Sequence, residues 1–224
     1  MDRNFYYASL GPSRVSTASD IPNVGGDRFL IRYVWTQGLG GRDLDTFTGI
    51  EPGTGTGYDG VKNASGQPTN YVGYNGTPTP AIPSGGNIGS TSYFYWAGDN
   101  QGGAGNEAIL INPGKLTTDN SSINVYNVGL YGNWYGTLGN GCITVELRVY
   151  SGGSYSISSN DIINSGGTLL LTKSFGININ NNPRGGAVGY PTNGINGYQR
   201  IGTFKFIRNT SGTFYVDLQS AGNC

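Results

Sequence analysis

The chain has 224 residues, with 40 Gly, 16 Tyr, no His and 12% charged residues, and its 13 basic side chains balance 13 acidic ones. Lacking His, it can form neither a Ser-His or Cys-His nucleophile nor a His-ligated metal site. A neutral chain so poor in Lys and Arg matches no nucleic-acid backbone, no apolar run reaches the roughly 18 residues of a membrane span, and the glycines lack the triplet period of collagen.

In chain order, Met1–Tyr7 shows no basic stretch ahead of an apolar one, so no secretory leader is expected and the chain is read as made in a cytoplasm. Phe29, Ile31, Tyr33 and Trp35 then alternate with Arg28, Leu30, Arg32 and Val34, which predicts a strand with one largely aromatic face. Residues 51–91, with repeated Gly-Thr and Pro, read as a long loop insertion carrying Tyr58, Tyr71 and Tyr74. Further strands are predicted at Tyr93–Ala97, Ala108–Ile111 and Ile123–Tyr131. Ile143, Val145, Leu147 and Val149 alternate with polar neighbours in another, and Thr168–Phe175 follows. Residues 176–198 read as a second long loop, rich in Asn and containing Tyr190. Ile201–Ile207 and Phe214–Leu218 flank a polar turn and predict a hairpin. No segment shows a 3.6-residue period. The expected fold is therefore all-β: one antiparallel β-sandwich over residues 1–224, jelly-roll-like, with long Gly/Asn/Pro-rich loops. Cys142 opens an apolar run and Cys224 ends the chain, so they read as a buried thiol and a tail thiol.

Two acidic motifs stand out against so low a charge content. One is Gly41-Arg42-Asp43-Leu44-Asp45-Thr46. The other is Gly98-Asp99-Asn100-Gln101-Gly102-Gly103-Ala104-Gly105-Asn106-Glu107. Each lies where a strand meets a Gly-containing turn. Asp-x-Asp brings two carboxylates close together, the second motif adds further oxygen donors, and glycines let backbone carbonyls turn inward. Calcium takes six to eight such oxygens in a forgiving geometry. The bland reading is a pair of Asx-turns. A phosphate cradle is disfavoured, because the glycines are followed by no Lys-Ser/Thr and no helix. A glycosidase pair has nothing beyond two acids to support it.

The order of these segments (Asp-Leu-Asp, an aromatic strand, Gly-Asp-Asn, a Gly-rich loop, Glu107, Ile109-Leu110-Ile111, Lys115-Leu116, then a strand with Ile123 and Val125) resembles the tellurium-resistance stress proteins, the TerD-like family, over residues 28–150. That resemblance implies a calcium-binding β-sandwich with Asp43, Asp45, Asp99, Asn100 and Glu107 at the metal. Two features depart from the family. Its acidic run is reduced here to Asn106-Glu107, and the 51–91 excursion is much longer, which suggests a fold put to another use.

With no nucleophile-base pair and no cofactor fingerprint, no enzymatic activity is expected. The expected function is a virion structural protein of a tailed phage, capsid- or tail-associated and stabilised by Ca2+. It would be made in the host cytoplasm and located in the virion, with other virion proteins and further copies of itself as partners, and without nucleic-acid binding or membrane insertion. Two alternatives stand beside it. One is a cytoplasmic TerD-like calcium-binding stress-response protein. The other is a carbohydrate-binding attachment module whose glycan would meet the loop aromatics Tyr58, Tyr71, Tyr74 and Tyr190, which equally suit a subunit interface.

Overall fold

The computed structural model describes residues 25–36, 43–50, 71–73, 82, 86, 92–114, 125–134, 139–181, 199–208 and 214–219. Within them lie the strands β1 (Arg28–Trp35), β2 (Leu44–Ile50), β3 (Tyr71–Gly73), β4 (Phe94–Trp96), β5 (Gly105–Ile111) and β6 (Val125–Trp134). The second half contributes β7 (Gly139–Ser151), β8 (Ser154–Ser158), β9 (Asp161–Ser165), β10 (Thr168–Asn181), β11 (Gln199–Arg208) and β12 (Phe214–Gln219). Among the described residues only Pro113 and Gly114 have helical backbone, and no helix there is long and apolar enough to cross a membrane.

Ten strands form two antiparallel five-stranded sheets, one in the order β10-β7-β1-β5-β4 and the other β12-β11-β6-β2-β3. The fold is thus the expected all-β sandwich. Period-2 alternation selects the side chains between the sheets. Phe29, Ile31, Tyr33 and Trp35 of β1 and Ile143, Val145, Leu147 and Val149 of β7 meet Leu44, Val128, Leu130, Trp134, Phe204 and Phe206 from the opposite sheet in one buried cluster. Phe206 stands edge-on to Phe29, with ring centroids 4.8 Å apart.

Among the described residues, polar contacts cross this apolar interior. Tyr33 Oη and Thr48 Oγ1 lie 2.7 Å apart, Trp134 Nε1 donates to the Ile179 carbonyl at 3.2 Å, and the Thr46 hydroxyl donates to Glu107. Each satisfies a side chain that burial would otherwise penalise. Together they fix the depth at which β2 and β6 sit against β1, β5 and β10.

The structure refines several expectations. Residues 176–181, read as the start of a loop, continue β10, because Phe175, Ile177 and Ile179 alternate into the core. The 51–91 segment contains β3, paired with β2 at Thr48↔Val72. The Asp-Leu-Asp motif runs directly into a strand, β2, buried along its whole length. Cys142 is not a buried thiol. Its neighbour Ile143 takes the inward position, so Cys142 is exposed, and it is disulfide-bonded. The sequence holds one other cysteine, Cys224, which lies outside the described residues.

The hairpin β8–β9 has no counterpart in the sequence reading. It lies over the outer face of the first sheet, where Tyr155 and Ile162 join Leu30, Tyr95, Ala108, Leu110 and Tyr150 in a second buried cluster. It is reached through Gly152-Gly153 and left through Gly166-Gly167. Gly153 has φ +90°, and a Cβ there would stand 2.7 Å from the Gly167 nitrogen, so the sharp reversal between β7 and β8 needs glycine. The hairpin's own turn, Ser159-Asn160, has φ of 49° and 62°. Two successive positive values are the type I′ geometry that suits the twist of a two-residue hairpin. Arg32 of β1 anchors the far side of that turn, its Nε and Nη2 donating to Asp161 at 3.0 and 2.7 Å. This is the bidentate geometry that makes an Arg-carboxylate pair strong.

Candidate metal centre

Asp43 stands immediately before β2, Asp45 is its second residue, and Asp99 follows β4. The sandwich carries all three to one place. Each offers a carboxylate oxygen, and these oxygens lie within 4.8 Å of one another. Two like charges at that separation repel by roughly 3 kcal/mol at an effective dielectric of about 20.

The local chain explains how a strand end and a loop reach the same point. Gly98, at φ +106°, turns the backbone sharply after β4. The loop that follows is closed by its own side chains: Asn100 Nδ2 donates to the Asn106 carbonyl at 3.2 Å, while Asn100 Oδ1 accepts from the Gly102 amide at 3.0 Å. Trp35 Nε1 on β1 donates to the Gly102 carbonyl at 3.1 Å and pins the Gly-rich stretch to the sheet. Gln101 Nε2 donates to Asp99 Oδ2 at 3.0 Å.

Several buried oxygens of this group have no hydrogen-bond partner: Asp43 Oδ1, both carboxylate oxygens of Asp45, and Asp99 Oδ1. Asp45 is 1% exposed. An unpaired buried carboxylate is costly, and such a group shifts its pKa or acquires a cation. Burial first, and the charges of Asp43 and Asp99 second, push Asp45 up to about 7. Burial first, then the charge of Asp99, pushes Asp43 up to about 6.

A further polar residue stands beside them. Asn133 of β6 pairs directly with Asp45 in the β2–β6 register. Directly opposed residues leave the same face of a sheet, with Cβ atoms about 5 Å apart. Asn133 is fully buried, and neither its Oδ1 nor its Nδ2 has a hydrogen-bond partner. Sequence reading did not select it. The available signal was a carboxamide directly before the aromatic pair Trp134-Tyr135, at the end of a run with apolar alternation.

The five residues expected at the metal therefore divide. Asp43, Asp45 and Asp99 come together. The Asn100 side chain is used inside its own loop, as an Asx-type closure. Glu107 lies outside the three-carboxylate group. One of its oxygens accepts from Thr46, and Oε1 accepts from the Asn100 amide at 3.3 Å. Burial, only partly offset by these two hydrogen bonds, raises its pKa well above the ordinary carboxylate range. Glu107 thus ties β2, the loop and β5 together directly behind the site. Of the loop aromatics, Tyr71 lies in β3, while Tyr58, Tyr74 and Tyr190 fall outside the described residues.

No protein-family profile matches the chain, and no curated protein matches it. Among solved structures, the chain is similar to one titled "Crystal structure of unknown function protein SAV2460". The two share 16% identity at a TM-score of 0.42, over 89% of this chain and 91% of that one.

Proposed function

We propose that the chain is a non-enzymatic β-sandwich that binds one divalent cation, calcium by the chemistry of its donors, at Asp43, Asp45, Asp99 and Asn133. The observation that carries this reading is the set of buried, unpartnered oxygens: three carboxylates within 4.8 Å, and beside them a fully buried Asn with no hydrogen bond. A cation relieves the repulsion among the carboxylates and gives the Asn133 carbonyl oxygen a partner. Oxygen-only donors favour hard cations over thiolate- or imidazole-seeking metals. Bound there, the cation would join the start of β2 in one sheet to the loop after β4 in the other, so its role is structural. Mixed carboxylate and carboxamide donors suit the flexible coordination of calcium better than the strict octahedron of magnesium.

Titration of chelator-treated protein with calcium checks the reading. The expected result is saturable uptake of one ion, preferred over magnesium and lost in Asp45→Asn. Asn133→Leu, which keeps the volume of the side chain but removes its oxygen, is expected to weaken uptake roughly tenfold or more, as loss of a metal-supporting group does. No uptake by the wild-type protein would leave Asp43, Asp45 and Asp99 as a carboxylate cluster that holds no ion.

We infer the wider role from composition: a structural protein of a tailed-phage virion, with this cation locking its sandwich. An all-β, neutral chain rich in Gly, Asn and Tyr and without a nucleophile-base pair supports that role. The genes on either side provide its test. Neighbours encoding capsid or tail proteins are expected, whereas neighbours encoding tellurite-resistance partners would replace this role with the stress-protein reading.

A further inference from the structure

We infer that the β8–β9 turn is a clasp that presents Asp99 to the cation, with Asn160 as its positioning residue; this rests on the cation reading above. Asn160 holds both sides of the site loop at once. Its Nδ2 donates to the Asp99 carbonyl at 2.9 Å, and its own carbonyl accepts from Asn106 Nδ2 at 3.0 Å. Asp99 begins the loop and Asn106 ends it, so one residue about sixty positions further along the chain brackets the whole turn.

The arrangement orients Asp99 by elimination. Its carbonyl is taken by Asn160 and its Oδ2 by Gln101, which leaves Oδ1 as the buried atom without a partner. Asn160 can act this way only because the turn holds it at φ +62°, a conformation that Asn tolerates better than most residues. The turn is fixed in its turn by Asp161, next in sequence, through the two hydrogen bonds from Arg32. A chain of contacts thus runs from β1 through Arg32, Asp161 and Asn160 to Asp99. The hairpin has a job that its cover of Leu30 and Tyr95 does not require. It braces the only carboxylate of the three that sits on a loop rather than at the start of β2.

Asn160→Gly separates positioning from folding. Glycine keeps, and indeed favours, the positive φ of the turn, while the side-chain donor to Asp99 is lost. Calcium titration of the chelator-treated variant is expected to give a dissociation constant roughly tenfold weaker than that of the wild type. The melting temperature of the calcium-free variant is expected to fall by no more than about 4 °C, the shift that loss of one half-buried hydrogen bond brings in a domain this size. The calcium-induced rise in melting temperature is expected to shrink. Equal calcium affinity in Asn160→Gly and wild type overturns the clasp and leaves the cation site standing. A drop in melting temperature that is the same with and without calcium also overturns it, because it marks a purely structural residue. A wild-type protein that takes up no calcium overturns the cation reading, and the clasp falls with it.

Discussion

Millimolar calcium, compared with excess chelator, raises the melting temperature of the protein by roughly 5–10 °C. A ligand present at about a hundred times its dissociation constant stabilises the folded state by about 2.7 kcal/mol, and each kcal/mol moves the midpoint of a domain this size by about 2–4 °C. The unfolded chain has no comparable site, because Asp43 and Asp99 are brought together only when β2 and β4 have entered opposite sheets. The rise should vanish in Asp99→Asn. That variant should also melt slightly above wild type in chelator, since one of three mutually repelling carboxylates is gone. A calorimetric scan in both buffers measures the two effects together. If calcium leaves wild type unmoved while Asp99→Asn is still stabilised in chelator, the carboxylates repel one another but hold no ion.

Parts of the fold were legible because one physical signal dominated them. β7 turns Ile143, Val145 and Leu147 inward between exposed or half-buried neighbours, and β1 alternates its buried Phe29, Ile31, Tyr33 and Trp35 with half-buried Arg28, Arg32 and Val34. A polar turn between two apolar runs marks β11 and β12, so the apolar residues of all four strands stand out. β2 gave no such signal. Leu44-Asp-Thr-Phe-Thr-Gly-Ile is buried on both faces, its polar side chains satisfied by Glu107 and Tyr33 across the core or placed in the acidic group. Without alternation it read as a turn. β8 and β9 failed for a different reason. They are five residues each, rich in Ser, and joined by Ser-Asn rather than the Asn-Gly that usually marks a type I′ turn. Their place is set by Tyr155, Ile162 and the Arg32–Asp161 pair, which are tertiary facts. β10 was cut short because three Asn residues near its end masked the inward Ile177 and Ile179.

The site follows the same division. Asp43, Asp45 and Asp99 were visible because charge is scarce in this chain and acids at strand ends stand out. Asn133 was not, because what brings it to Asp45 is the register of β2 against β6 across nearly ninety residues of sequence. Asn160 was hidden for the same reason. Asn100 drew attention as an oxygen donor in a Gly-rich loop, and loop closure is an equally good use of such a residue, which short-range sequence cannot separate from metal binding.

Stability and calcium binding are expected to respond to pH in opposite directions. In chelator, Asp45 titrates at about 7 and Asp43 at about 6, both above the ordinary 3.8, and Glu107 is shifted in the same direction. For an acid whose folded pKa is raised, the folded state binds the proton more tightly than the unfolded chain does. Its destabilising effect is complete above the folded pKa and disappears as pH falls to the unfolded value. The calcium-free protein therefore gains stability as pH falls from about 7 to about 4, the window set by those values. Calcium needs the same carboxylates deprotonated, so its affinity falls over the upper part of that window. Melting temperatures measured with and without calcium should thus differ most above pH 7 and converge toward pH 5. The convergence should come partly from a rise in the chelated curve and not only from a fall in the calcium curve. That rise separates this site from an ordinary surface cluster, whose exposed carboxylates keep pKa values near those of the unfolded chain. A chelated protein that instead loses stability steadily on acidification would show that Asp43 and Asp45 are solvated or paired, and the burial on which the cation site depends would be wrong.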